Sequence, residues 1–239
     1  MKTILSLAVL AALIACNQGL TCCAAEEDGV ALAIVYDTSG SMHDSVRDAN
    51  GRLAPKYQIA NRALKAVARQ IQTFAERKGA GGSPWKIQAG LFIFQGDGAR
   101  MVVPFGPFSP EKLTDFADHF SKPSGNTPLG NSLRAAARTI LNSPLPRKHV
   151  LIITDGVNTA GPTPAMVMPD LKMLAEEKHT SLSVHFVAFD VNANVFSGVK
   201  KQGATVVGAA DEAQLNAQLE FILQHKILLE EEEAPPAKK

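Results

Sequence analysis

Aromatic residues make up only 6% of this 239-residue chain, so branched aliphatic side chains must fill whatever core it builds. Cysteine is scarcer still. Cys16, Cys22 and Cys23 all precede residue 30, which excludes a disulfide or a thiolate metal site from everything that follows. Neither sign of charge is in excess: 24 Lys and Arg stand against 23 Asp and Glu, a formal net charge of +1. Lys2 is the one charged side chain of residues 1–15, so removing them leaves zero, and nothing here resembles the basic footprint of a nucleic-acid binder. Several enzyme signatures are missing too. No Gly-x-Ser-x-Gly, Gly-x-Gly-x-x-Gly or Gly-x-x-x-x-Gly-Lys occurs, so hydrolase, dinucleotide and P-loop readings lack their anchor residues. The six histidines are scattered without metal-ligand spacing; those at 119, 149, 179, 185 and 225 read as exposed or satisfied structural residues.

What is present is an ordinary globular composition, 46% hydrophobic and 20% charged, preceded by a short leader. Residues 1–15 combine a basic start with an apolar stretch too short to span a bilayer comfortably, the pattern of an export signal peptide. No later run is a candidate spanning helix. The leader ends in Leu13-Ile14-Ala15-Cys16, which resembles the lipobox of bacterial lipoproteins. That resemblance implies lipidation of Cys16 and a membrane contact made only through this anchor. Ordinary cleavage near residues 23–25, releasing a soluble periplasmic or secreted protein, is the alternative. Residues 16–28 form a tether. At the other end residues 230–239, with four consecutive Glu and then Ala-Pro-Pro, have nothing to bury and read as a solvated, disordered tail.

Between these termini, strands and helices alternate over residues 29–229. Residues 30–36 are apolar without alternation, which marks a strand buried on both faces of a parallel sheet. That strand ends abruptly in Asp37-Thr-Ser39-Gly-Ser41. Residues 43–55 are polar and form the rim beside it, with His43 and Asp44 facing water. Ile59, Ala63, Val67, Ile71 and Phe74 recur at helical spacing through residues 56–78. A strand at 85–95 and a short one at 101–105 are joined too tightly to be parallel, so they are antiparallel neighbours, the second at the sheet edge. Ser109-Pro110-Glu111 opens a helix reaching about residue 120. The loop 121–130 contains Thr127-Pro128 and leads into a helix over 131–141. Taken alone, Thr127 reads as the N-cap of that helix. Residues 149–154 are a second apolar strand terminating in a carboxylate, Asp155. A helix (164–178), a strand (183–189), a weak helix (196–202), a short strand (205–207) and a last amphipathic helix (211–229) complete an α/β, doubly wound domain.

Two central strands ending in Asp bring two negative charges to one sheet edge, which is costly unless a cation sits between them. Asp37, Ser39, Ser41, Thr127 and Asp155 together resemble the metal-ion-dependent adhesion site of the von Willebrand factor type A (VWA) domain. They match its Asp-x-Ser-x-Ser, loop Thr and strand-terminal Asp in type and order. The resemblance implies a Rossmann-like VWA fold: a mostly parallel six-stranded sheet, one antiparallel edge strand and helices on both faces. It implies that Ser39, Ser41 and Thr127 give hydroxyl oxygens to Mg²⁺, with Mn²⁺ as an alternative, while Asp37 and Asp155 hold coordinated waters or bind the ion directly. An acidic residue of a protein partner then fills the open position, so the chain is a binding module at the cell envelope, not an enzyme. Two other readings stay open. One is a Mg²⁺-dependent phosphohydrolase or phosphotransferase, against which stands Ser39 in place of a second carboxylate; the other is a structural domain with an idle metal site.

Overall fold

A computed structural model of the protein describes residues 29–77 and 85–229. The leader, Cys16, the tether, the turn cluster at 79–84 and the acidic tail lie outside the described residues. The first strand, β1 (Gly29–Tyr36), is followed by a single turn of 3₁₀ helix (Gly40–His43) and a small hairpin, β2 (Ser45–Arg47) and β3 (Leu53–Pro55). Helix α1 (Lys56–Ala75) then crosses back to β4 (Lys86–Gln95), which pairs antiparallel with β5 (Gly98–Pro107). Next come α2 (Pro110–His119), α3 (Leu129–Ile140), β6 (Arg147–Thr154), α4 (Pro164–Glu177) and β7 (Ser183–Phe189). A 3₁₀ turn (Ala193–Phe196), the single-turn α5 (Ser197–Lys200), β8 (Thr205–Ala209) and α6 (Glu212–Ile222) close the fold. Wider, π-type turns continue α6 over Leu223–Leu228. None of the described helices is long and apolar enough to cross a membrane.

The main sheet has the order β5-β4-β1-β6-β7-β8, parallel except for β5 at one edge. From β1 the chain first builds outward through β4 and β5, then returns to lay β6 on the opposite side of β1. The order therefore reverses between β1 and β6, and the crevice outside their carboxyl ends is the place where such sheets bind ligands.

Alternation along β1 explains the two layers of helix. Val30, Leu32, Ile34 and Tyr36 face a core shared with α1, α2 and α6, whereas Ala31, Ala33 and Val35 face one shared with α3 and α4. All seven are fully buried, which accounts for a strand with no polar residue on either face. The small side chains of Ala31 and Ala33 let α3 sit directly over β1. Gly130, in the first turn of α3, is where the opposite side of that helix runs tight: a Cβ there would lie 2.0 Å from the carbonyl oxygen of Pro162.

The structure differs from the sequence expectations in several places, of which the following bear on the fold. The edge strand β5 is ten residues long, not five, because a bulge accommodates the proline: Leu91 pairs with Val103 and Ala89 with Gly106, leaving Pro104 outside the ladder where its missing N–H costs nothing. Residues 43–55 hold the β2–β3 hairpin where only a polar rim was expected. The final helix changes to wider turns after Ile222 instead of running regularly to residue 229.

Candidate metal centre

β1 and β6 are in register, and Asp37 N–H donates to Ile153 C=O at 3.0 Å, so the two strands deliver Asp37 and Asp155 to the same edge. The backbone turns sharply after Asp37, whose Oδ1 accepts from Ser39 N–H at 2.8 Å and from Ser39 Oγ at 2.5 Å. This is the Asx pattern, a carboxylate bonding its own backbone two residues on. Asp37 Oδ2 accepts from Thr154 Oγ1 at 2.6 Å. Ser39 Oγ lies 3.1 Å from Ser41 Oγ, and Ser41 Oγ donates to Asp155 Oδ1 at 2.8 Å. Four of the five sequence-selected residues thus form one continuous chain of oxygens.

Thr127 arrives from a third segment. Gly40 N–H donates to Gly125 C=O at 3.2 Å and Ser124 N–H to Thr38 C=O at 2.7 Å, lacing loop 121–128 to the Asp37–Ser41 turn. Thr127 and Thr159 are doubly joined, by Thr127 N–H to Thr159 Oγ1 (2.8 Å) and Thr159 N–H to Thr127 C=O (3.0 Å). A Cβ placed on Gly156 would sit 3.5 Å from Thr127 Oγ1 and 3.8 Å from Ser41 Oγ, so both hydroxyls border one small space that this glycine keeps open. Thr127 does not cap α3. Pro128 holds the N-cap position, and the first-turn N–H of Gly130 donates instead to Asn158 Oδ1 at 3.2 Å.

Burial sets the electrostatics. Asp37 is fully buried and Asp155 nearly so, while exposed Gly40 and half-buried Ser41 form the lip. Burial, and secondarily the charge of Asp155, push Asp37 up to about 6, against the pull of its hydrogen bonds from Ser39 and Thr154. Two buried carboxylates side by side, ringed by hydroxyls, are a donor set for a hard, oxygen-seeking divalent cation. Among the described residues no group of three or more His, Cys, Asp or Glu is placed to hold a metal.

A family model described as von Willebrand factor type A domain matches residues 32–158, a span that begins inside β1 and ends just past Asp155. The chain belongs to the von Willebrand factor type A domain family. No curated protein matches it. Among solved structures this VWA chain is similar to the PilB minor pilin of Streptococcus sanguinis, with a TM-score of 0.61 at 15% identity over 82% of this chain and 60% of the pilin. It is also similar to proximal thread matrix protein 1 of the mussel byssus, in a form with a zinc-occupied adhesion-site motif. There the TM-score is 0.58 at 17% identity, over 83% of this chain and 48% of that one. The vWF domain of the type V pili tip protein Mfa5 from Porphyromonas gingivalis gives 0.58 at 12% identity, over 83% and 95%. At these identities the likeness is one of fold. This chain spans only about half to three-fifths of the length of the first two.

Sequence reasoning missed four contributors to the VWA edge. Lys56, the first residue of α1, is buried, and its Nζ donates to Asp155 Oδ2 at 3.1 Å while pairing with Asp190 Oδ2 at 2.9 Å and lying 3.8 Å from Asp44 Oδ2. Burial alone would lower its pKa, but Asp190 and Asp155 more than offset that and hold the ammonium charged. A cation in the first turn of a helix opposes the macrodipole, and that misplacement was the available signal. Asp190, the third acid to end an apolar strand, was visible as a pattern; it adopts a left-handed φ of 53°. Thr154 and Thr159 carried no signal of their own. His43 and Asp44 are exposed, as the sequence suggested.

Proposed function

We propose that this VWA domain is a divalent-cation-dependent protein-binding module of the cell envelope, engaging an acidic side chain of a partner protein through Mg²⁺, with Mn²⁺ also accepted. The observation that carries the reading is the convergence of Ser39, Ser41 and Thr127 hydroxyls with the Asp37 and Asp155 carboxylates at the β1/β6 switch point. Three hydroxyl and two carboxylate oxygens give at most five protein donors, one short of an octahedron, so a bound ion keeps a position for an outside ligand. Two carboxylates neutralise the divalent charge, and an anionic oxygen from a partner is the natural sixth ligand. Non-enzymatic binding fits this donor set, because Ser39 stands where a phosphohydrolase of the Asp-x-Asp kind needs its acid/base carboxylate. A zinc-occupied motif in the mussel relative, and VWA domains in two bacterial pilus proteins, lend support to metal binding and to an extracellular or envelope setting. Export through residues 1–15 and anchoring through a lipidated Cys16 belong to the same proposal.

Calorimetry with MgCl₂ tests it. Wild-type protein is expected to bind one ion, and Asp37→Ala and Asp155→Ala to bind none while keeping the wild-type circular dichroism spectrum. Retained binding in both variants refutes the site. A pulldown from envelope extract with and without EDTA, using Asp155→Ala as control, then reads the partner; capture that ignores both EDTA and the substitution defeats the adhesive role.

A further inference from the structure

Each carboxylate at the candidate centre has one oxygen held by a side chain behind it and one that takes its hydrogen bonds from the Ser39–Ser41 turn. Asp37 Oδ2 is taken by Thr154 Oγ1 at 2.6 Å, leaving Oδ1 on the Ser39 side. Asp155 Oδ2 is taken by Lys56 Nζ at 3.1 Å, leaving Oδ1 on the Ser41 side. Lys56 is itself held in place: its backbone N–H donates to Asp44 C=O at 2.8 Å, and Asp190 Oδ2 braces the ammonium at 2.9 Å. Asp190 N–H in turn donates to Ala209 C=O at 2.7 Å, which ties the brace to β8. The lysine therefore belongs to a framework spanning β6, β7 and α1, and it is fixed with its charge against the far side of Asp155.

From this we infer that Lys56 is a positioning residue that denies Asp155 a second metal-facing oxygen, as Thr154 does for Asp37, and that the two locks set the centre's choice of cation. The inference rests on the reading of the site as a divalent-cation centre. Calcium takes six to eight oxygens and commonly draws both oxygens of a carboxylate, whereas magnesium requires six in near-octahedral array and manganese accepts the same. With both carboxylates restricted to one oxygen each, the donor set meets the second requirement and falls short of the first. Removing a lock frees an oxygen of the kind calcium uses.

The test is the ratio of dissociation constants for CaCl₂ and MgCl₂, measured by calorimetry on wild-type, Lys56→Met, Lys56→Arg and Thr154→Val proteins. Wild-type protein is expected to prefer Mg²⁺. Lys56→Met should move the ratio toward Ca²⁺ by about tenfold, the scale of one charge-assisted hydrogen bond, and Lys56→Arg, which keeps a donor for Oδ2, should hold the wild-type ratio. A purely structural or purely Coulombic role for Lys56 changes both affinities together and leaves the ratio alone; that result overturns the inference. If Lys56→Met does not fold, Thr154→Val carries the test on the Asp37 side, with the same expected direction and the same refuting outcome. Absence of any cation binding by wild-type protein removes the metal reading and this inference together, whereas binding with an unchanged ratio removes only the role given to the locks.

Discussion

Lowering the pH should destabilise this domain through a pair of histidines far from the candidate metal edge. His149 on β6 and His185 on β7 are both buried, with Nδ1 and Nε2 3.2 Å apart and rings stacked at 5.5 Å. Among the described residues, Arg147 and Lys226, both cations, act on the pair. Burial, and then Lys226, push His185 down to about 4, and burial, the neighbouring His185 and Arg147 push His149 well below the usual histidine value. In the unfolded chain each titrates near 6.5. Because the folded pKa is the lower one, the unfolded state binds more protons at any pH between the two, so stability is full above about 6.5 and falls as the pH drops toward 4. For His185 the gap of some two and a half units corresponds to about 3 kcal/mol over the whole window, of which about 2 kcal/mol is lost by pH 5. Urea unfolding at pH 7.5 and pH 5.0 measures the loss, with His185→Phe as the comparison, since an aromatic ring keeps the volume without the titration. Asp37, whose raised pKa works in the opposite direction, is common to both proteins and cancels in the difference. Equal pH dependence in the two proteins, or an NMR titration placing His185 at 6 or above, refutes the reasoning.

Gly130→Ala would drive a methyl group into the Pro162 backbone at 2.0 Å, so it should cost about 1–3 kcal/mol and, by displacing the start of α3 behind Thr127, weaken Mg²⁺ binding as well. Thermal melts with and without MgCl₂ check this; wild-type behaviour in both would show that the helix contact is slack. Tyr36→Phe removes the hydroxyl that donates to Asn61 Oδ1 at 2.7 Å in the buried core, leaving that oxygen without its partner at a cost of about 1–2 kcal/mol by chemical denaturation. No measurable change would mean that Asn61 finds another donor.

The parts of the fold legible in the sequence were those where one signal has one physical meaning. β1 and β6 are uninterrupted apolar runs, and only burial on both faces suits such runs, so their central place and their acidic ends followed together. The Ser-Pro-Glu punctuation worked likewise at α2, where Ser109 caps and Pro110 opens the helix as expected. The β2–β3 hairpin was hidden because its two three-residue strands are half exposed, so neither has a hydrophobic pattern to read. At the candidate site the five selected residues come from segments that periodicity located correctly, but the groups behind them were not legible. Periodicity reports which face of a helix is apolar, and Lys56 sits at the extreme end of α1, where the covering loop, not the helix face, decides burial. His149 and His185 were read singly because their sequence spacing says nothing of strands that become neighbours.

The three segments that meet at the candidate centre are stitched to one another through main-chain groups: Gly40 to Gly125, Ser124 to Thr38, Thr127 to Thr159, Asp37 to Ile153. Peptide groups, unlike side chains, survive every substitution except proline. The platform is thus separable from its equipment. Its donors can be exchanged one at a time while the geometry that gathers them stands, so such an edge can lose, retune or replace its ligand chemistry without first having to refold.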